Sequence, residues 1–152
     1  MRKAAAMLVL TVLGLSACSS GSSKTLSKQE FITQADAICK KYTDQGDTAS
    51  KQLEDKYKDS KDFAALGKDA LTQLMPIERA EIADLKTLKP SSADKAQVQK
   101  LLDEVTTATD QLEQKLKTDP AGAFTSSDFN PYAQADTDAK AFGLTECGST
   151  SS

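Results

Sequence analysis

Apolar residues recur along most of this chain in steps of three and four, the period of a helix laid against a core, and strand-type alternation is absent. The first helical signal is detailed. Ser27 and Glu30 stand at capping-box spacing, and Leu26 and Phe31 sit where a hydrophobic staple would close the entry. Phe31, Ala35, Ile38 and Tyr42 then form a stripe, with Cys39 on its edge and so directed at the core. The stripe thins around Gly46 and resumes at Ala49, Leu53 and Tyr57, which predicts one long helix or two with a weak joint. After Ser60–Asp62 a second element carries Phe63, Leu66, Ala70, Leu71, Leu74 and Met75. Pro76 lacks a backbone donor and clashes one turn back, so this element must kink or break before Ile77, Ile82, Leu85 and Leu88 continue the stripe.

Lys89-Pro90 ends that element, and Ser91 to Asp94 offers a second capping box. The third helix is the clearest by period, with Val98, Leu101, Leu102, Val105, Ala108, Leu112 and Leu116 on one face. Thr118 to Asn130 reads as a loop by composition, and its rings, Phe124 and Phe129, are expected to tuck under the bundle. Asn130-Pro131 predicts a fourth helix with proline at its first position and Tyr132, Ala135, Ala139 and Phe142 along one side. Gly143 suits a left-handed stop, and Leu144 would pack back on the last turn. The fold class predicted is all-α, an up-and-down bundle of about four helices.

Ahead of the bundle, Met1-Arg2-Lys3 is basic, and Ala4 to Leu15 is apolar but too short to span a bilayer as a stable helix. This run ends in Leu15-Ser16-Ala17-Cys18, which resembles the lipobox of bacterial lipoprotein signals. The resemblance implies that the Cys18 thiol takes up diacylglycerol and that a peptidase cuts between Ala17 and Cys18, leaving Cys18 as a lipidated N-terminus. Small side chains at Ser16 and Ala17 suit that peptidase, and sulfur is the nucleophile that attacks the lipid donor. The expected organisation is a signal peptide over 1–17, a lipidated flexible tether over 18–26, a helical domain over 27–148 and a disordered polar tail over 149–152. The expected location is the outer face of the cell membrane, held by the lipid.

Composition narrows the chemistry. The chain has no histidine, which removes histidine-based triads, the usual proton shuttles and nearly all catalytic zinc sites. With Arg2 and Lys3 cut away, Arg79 is the only arginine left in a chain already at net −3, so nucleic-acid binding is not expected. Aromatic residues are 5% of the chain with no tryptophan, so an aromatic-rich cleft is not expected either. With Cys18 assigned to the anchor, Cys39 and Cys147 remain, and outside the cytoplasm such a pair is expected to form a disulfide joining the start of the domain to its end.

Phe31-Ile32-Thr33-Gln34-Ala35-Asp36-Ala37-Ile38-Cys39 and Ala141-Phe142-Gly143-Leu144-Thr145-Glu146-Cys147-Gly148 together resemble the paired end signatures of a group of small exported actinobacterial proteins. That resemblance implies the disulfide and the helical fold but no reaction.

Asp136-Thr137-Asp138 invites a metal reading, yet it lies inside a helical pattern and lacks the glycine turn of a calcium loop, so no metal and no cofactor are expected. Acid-before-base spacing at Glu54–Lys58 and Glu113–Lys117 reads as solvated helix surface. Arg79, between Glu78 and Glu81, reads as part of an exposed ion pair. No pattern selects a carboxylate pair or a serine nucleophile, so catalysis is not expected. What remains is a non-catalytic envelope module that binds an envelope protein or cell-wall component through an exposed face. The alternative is a carrier of a small apolar ligand or lipid, with a pocket between helices near Tyr42, Phe124 and Tyr132. A broad exposed apolar stripe would favour the first, and an enclosed cavity of some hundreds of Å³ the second.

Overall fold

The structure, a computed structural model, describes residues 24–148. The lipobox, the cleavage point at Ala17–Cys18, the lipidation site Cys18 and the tail over 149–152 lie outside the described residues. Six helices follow one another: α1 Lys28–Tyr57, α2 Phe63–Gln73, α3 Met75–Thr87, α4 Lys95–Thr118, the short α5 Pro120–Thr125 and α6 Ala133–Phe142. Taking α2 and α3 as one interrupted element, they make a four-element all-α bundle, with α5 as an added turn. Among the described residues there is no strand.

The capping box forms as its spacing demands: Glu30 N–H donates to the Ser27 hydroxyl at 3.3 Å, and Ser27 N–H donates to the Glu30 carboxylate at 2.9 Å. Leu26, the last residue of the expected tether, is buried in the core, and its N–H donates to the Lys89 carbonyl at 2.7 Å. The ordered fold therefore begins at least one residue earlier than the expected boundary. Helix α1 runs unbroken through Gly46. The break expected at Pro76 falls at Leu74, where α2 ends and α3 begins with Pro76 in its first turn, where a missing N–H costs nothing.

Two other boundaries move. Ser91 Oγ accepts from Asp94 N–H and donates to the Asp94 carboxylate, but this pair holds a turn ahead of α4, which starts at Lys95. Pro131 lies in a turn before α6, and Tyr132 is the N-cap. The C-terminus matches its pattern: Gly143 has φ +112°, and the N–H groups of Gly143 and Leu144 both donate to the Ala139 carbonyl, closing the helix while Leu144 packs inward.

Cys39 and Cys147 form the disulfide, with Cα atoms 5.1 Å apart across 108 residues of sequence. Asp36, one turn before Cys39, receives the C-terminal segment: its carboxylate accepts from the N–H of Thr145 and of Glu146, each at 3.0 Å, and from the Thr145 hydroxyl at 2.9 Å. A carboxylate capping consecutive amides in this way fixes the loop that carries Cys147.

Helix α1 packs on α2 and α3, while α4 packs on α2, α3, α5 and α6. Buried apolar residues fall into two clusters. One, at the disulfide end, gathers Leu26, Phe31, Cys39, Leu85, Leu101 and Phe142, with Phe31 and Phe142 meeting edge to face at 5.9 Å. The other joins Leu53, Ala70, Met75 and Leu116.

Candidate functional site

Between the two clusters the interior is not filled. A cavity of about 360 Å³, partly open to solvent beside the exposed Asp47, Ser50, Phe124 and Glu146, extends along the bundle, walled by members of both clusters and by residues of α1, α3, α4 and α6. Its origin can be traced along α1. From Phe31 to Tyr42 the inward positions are apolar, but Thr43, Gly46, Asp47 and Ser50, which line the cavity, are small or polar. A Cβ placed on Gly46 would meet nothing within 4 Å. The α1 stripe thins where the helix borders the cavity, and of the two expected arrangements the single long helix is the one formed.

The facing wall comes from α3. Met75, Ile82 and Leu85 are its buried apolar residues, and Glu78 occupies the intervening stripe position, three residues after Met75 and four before Ile82. Glu81 lies one turn on, and both carboxylates line the cavity. Arg79 forms the exposed ion pair expected of it, with partners that are not its neighbours in sequence. Arg79 turns away, pairing with Asp110 and with Glu113 at 2.6 Å each, and the two glutamates face inward.

Burial raises the Glu78 carboxyl above the usual range, offset in part by the Tyr132 hydroxyl. Burial, with Glu78 adding like-charge repulsion, pushes Glu81 up to about 8. Among the described residues Glu81 has no hydrogen-bond or ion-pair partner. The Tyr132 phenol is also raised, by burial first and then by the nearby Glu78. Thr109 holds the phenol in place: fully buried, it donates to the Val105 carbonyl at 2.9 Å, and its hydroxyl lies 3.2 Å from that of Tyr132. Thr109 and the inward glutamates were missed in the sequence because they are polar residues on apolar stripes. Their positions, four after Val105 and three after Met75, are the available signal.

Tyr42, Phe124 and Tyr132 all line this cavity. They do so differently. The Tyr42 ring is buried while its hydroxyl donates outward to Asp84 at 2.7 Å, and the Lys41 ammonium lies 4.2 Å from its ring centre. Phe124 is 42% exposed, so the expected tucking under the bundle fails for it; it sits on the short α5 at the edge. Phe129 is half-buried with the Lys115 ammonium over its ring at 5.6 Å. In the Asp136–Asp138 segment, Asp138 pairs with Lys100 of α4. Glu113 pairs with Lys117 as its spacing suggests, whereas Glu54 and Lys58 form no ion pair.

Among the described residues there is no group of three or more side chains able to hold a metal ion, and no helix is long and apolar enough to cross a membrane. No known family, curated protein or solved structure matches this chain.

Proposed function

We propose that this protein is a lipid-anchored, non-catalytic binding module of the cell envelope that holds a small, largely apolar ligand between its helices. The observation that carries the reading is the cavity of about 360 Å³, which falls within the roughly 300 to 1,000 Å³ typical of small-molecule sites. Its walls are mainly Leu, Ile, Val, Ala and Phe side chains that a fully packed bundle would have brought together. An interaction module working through an exposed apolar face has less support: among the described residues Phe124 is the one large hydrophobic side chain that is exposed. The lipobox supports the anchor, which would keep the domain and its ligand at the membrane surface.

One preparation tests both halves. The mature protein, extracted from its host, is weighed by mass spectrometry under native and then denaturing conditions. A denatured mass matching the chain from Cys18 plus diacylglycerol-type acyl modification is expected; an unmodified mass would sink the anchor. A native mass exceeding the denatured one by a reproducible small-molecule increment is expected. If the two agree, and short apolar probes also fail to bind, the ligand reading is lost.

A further inference from the structure

The cavity's charge identifies what it would hold. Five of its lining residues, Asp47, Glu78, Glu81, Asp136 and Glu146, are acidic, and none is lysine or arginine. Asp47 and Glu146 are exposed, while Glu78, Glu81 and Asp136 are half-buried. The chain as a whole carries 19 basic residues against 22 acidic ones, so a lining of one sign alone is not a consequence of composition. The bases lie elsewhere: Arg79, Lys41, Lys56 and Lys100 make their contacts to Asp110 and Glu113, Asp84, Asp69, and Glu104 and Asp138 respectively.

From this juxtaposition we infer that the ligand is an amphipathic cation, an apolar body with an ammonium head, seated with its head against Glu78 and Glu81. The inference rests on the reading of the cavity as a ligand site. A fatty acid or a lipid phosphate would bring a second negative charge into a low-dielectric space already holding two carboxyl groups. A neutral alcohol would donate one hydrogen bond but supply no charge to offset an ionised carboxylate. An ammonium donates up to three hydrogen bonds and supplies the charge that makes ionised carboxylates tolerable in the interior. Empty, the cavity keeps Glu81 protonated near neutral pH because of its partial burial; a bound cation favours the carboxylate, turning a half-buried group into half of an ion pair. The Tyr132 hydroxyl, steadied by Thr109, adds an oxygen beside the same position.

The test compares three ligands that share one chain and differ in head: octylamine, octanol and octanoate, titrated calorimetrically at neutral pH. The protein is the mature chain with Cys18→Ser, which retains every described helix, the disulfide and the whole cavity lining. Octylamine is expected to bind roughly ten-fold or more tighter than the other two, as hydrogen bonds to a charged partner would give. In the double variant Glu78→Gln, Glu81→Gln that preference should vanish while octanol still binds; these swaps keep side-chain shape and remove only the ability to ionise, so the fold persists. Equal or tighter binding of octanol or octanoate overturns the cationic ligand and leaves the cavity reading standing, and so does an amine preference that survives the double variant. Failure of all three to bind overturns the cavity reading itself.

Discussion

Two inward glutamates make the stability of this protein depend on pH in an uncommon direction. Glu81 has its carboxyl pushed up to about 8, against an ordinary value of 4.5, because it is buried beside Glu78. The folded state therefore holds a proton that the unfolded chain has released between those two pH values, so stability falls as pH rises from 4.5 to about 8 and stays low above. On the acid side the sign reverses. Glu30, through the Ser27 capping box, and Glu113, between Lys117 and Arg79, are both lowered to about 2, so their contributions are complete above 4.5 and fade as pH falls toward 2. Thermal unfolding across pH should thus peak near mildly acidic pH. In Glu81→Gln the decline toward pH 8 should flatten and the alkaline Tm should rise, corresponding to a gain on the order of 2 kcal/mol. An unchanged alkaline limb would mean that the Glu81 carboxyl reaches water. None of this was legible from the local sequence, where Glu78-Arg79-Ala80-Glu81 has the look of solvated surface. Charge spacing says which groups could pair, while the helical register relative to Met75 and Ile82 says which way they face, and the two disagree here.

Elements were more legible than residues, and the exceptions have physical causes. Capping chemistry and a left-handed glycine are local, so both ends of the domain could be read directly: Ser27 with Glu30 opens α1, and Gly143 closes α6. Gly46 left two readings open because a glycine amid polar residues weakens a helix and also opens space beside it, and the helix proves continuous with open space at that position. The segment after α4 misled by composition. Its Pro120 and Gly122 sit in the first turn of a helix, capped by Asp119, whose side chain accepts from Gly122 N–H at 2.9 Å. That helix needs a glycine elsewhere to dock. A Cβ on Gly67 of α2 would lie 2.5 Å from Pro120 Cβ and 3.3 Å from the Leu116 carbonyl oxygen, so α2 approaches the α4–α5 corner closely only because residue 67 has no side chain. Gly67→Ala is expected to lower stability by about 1–3 kcal/mol through overpacking, despite the better intrinsic helix propensity of alanine. Urea unfolding measures it, and a stabilised variant would show that α5 shifts at little cost.

At the scale of the whole molecule, the cavity divides the apolar interior, and that raises the share of stability borne by covalent and polar ties. Among the described residues, Phe142, Thr109 and Cys39 are the largest side chains fully removed from solvent. The ends of the domain are tied by the Cys39–Cys147 bridge and by Asp36, which holds the loop of Thr145 and Glu146 against α1. Both cysteines could be paired from the sequence because reading Cys18 as the expected anchor leaves each with one partner; the role of Asp36 could not be read, since it depends on a loop that is 109 residues away. In the chain-entropy account, a bridge across 108 residues restricts the unfolded ensemble by roughly 4–5 kcal/mol, a large part of the ~5–15 kcal/mol that holds an ordinary domain together. Replacing both cysteines with alanine should therefore bring the domain close to its unfolding threshold at 37 °C, by about 4 kcal/mol in urea unfolding. Hydrogen exchange separates the entropic account from a loss of native contacts. If the bridge acts on the unfolded chain, protection should fall across all helices by a similar factor, whereas loss of contacts would free Gly143–Cys147 and the end of α6 first and leave α2 and α4 protected. Because Asp36 keeps its hydrogen bonds to that loop without the bridge, the uniform fall is the expected result.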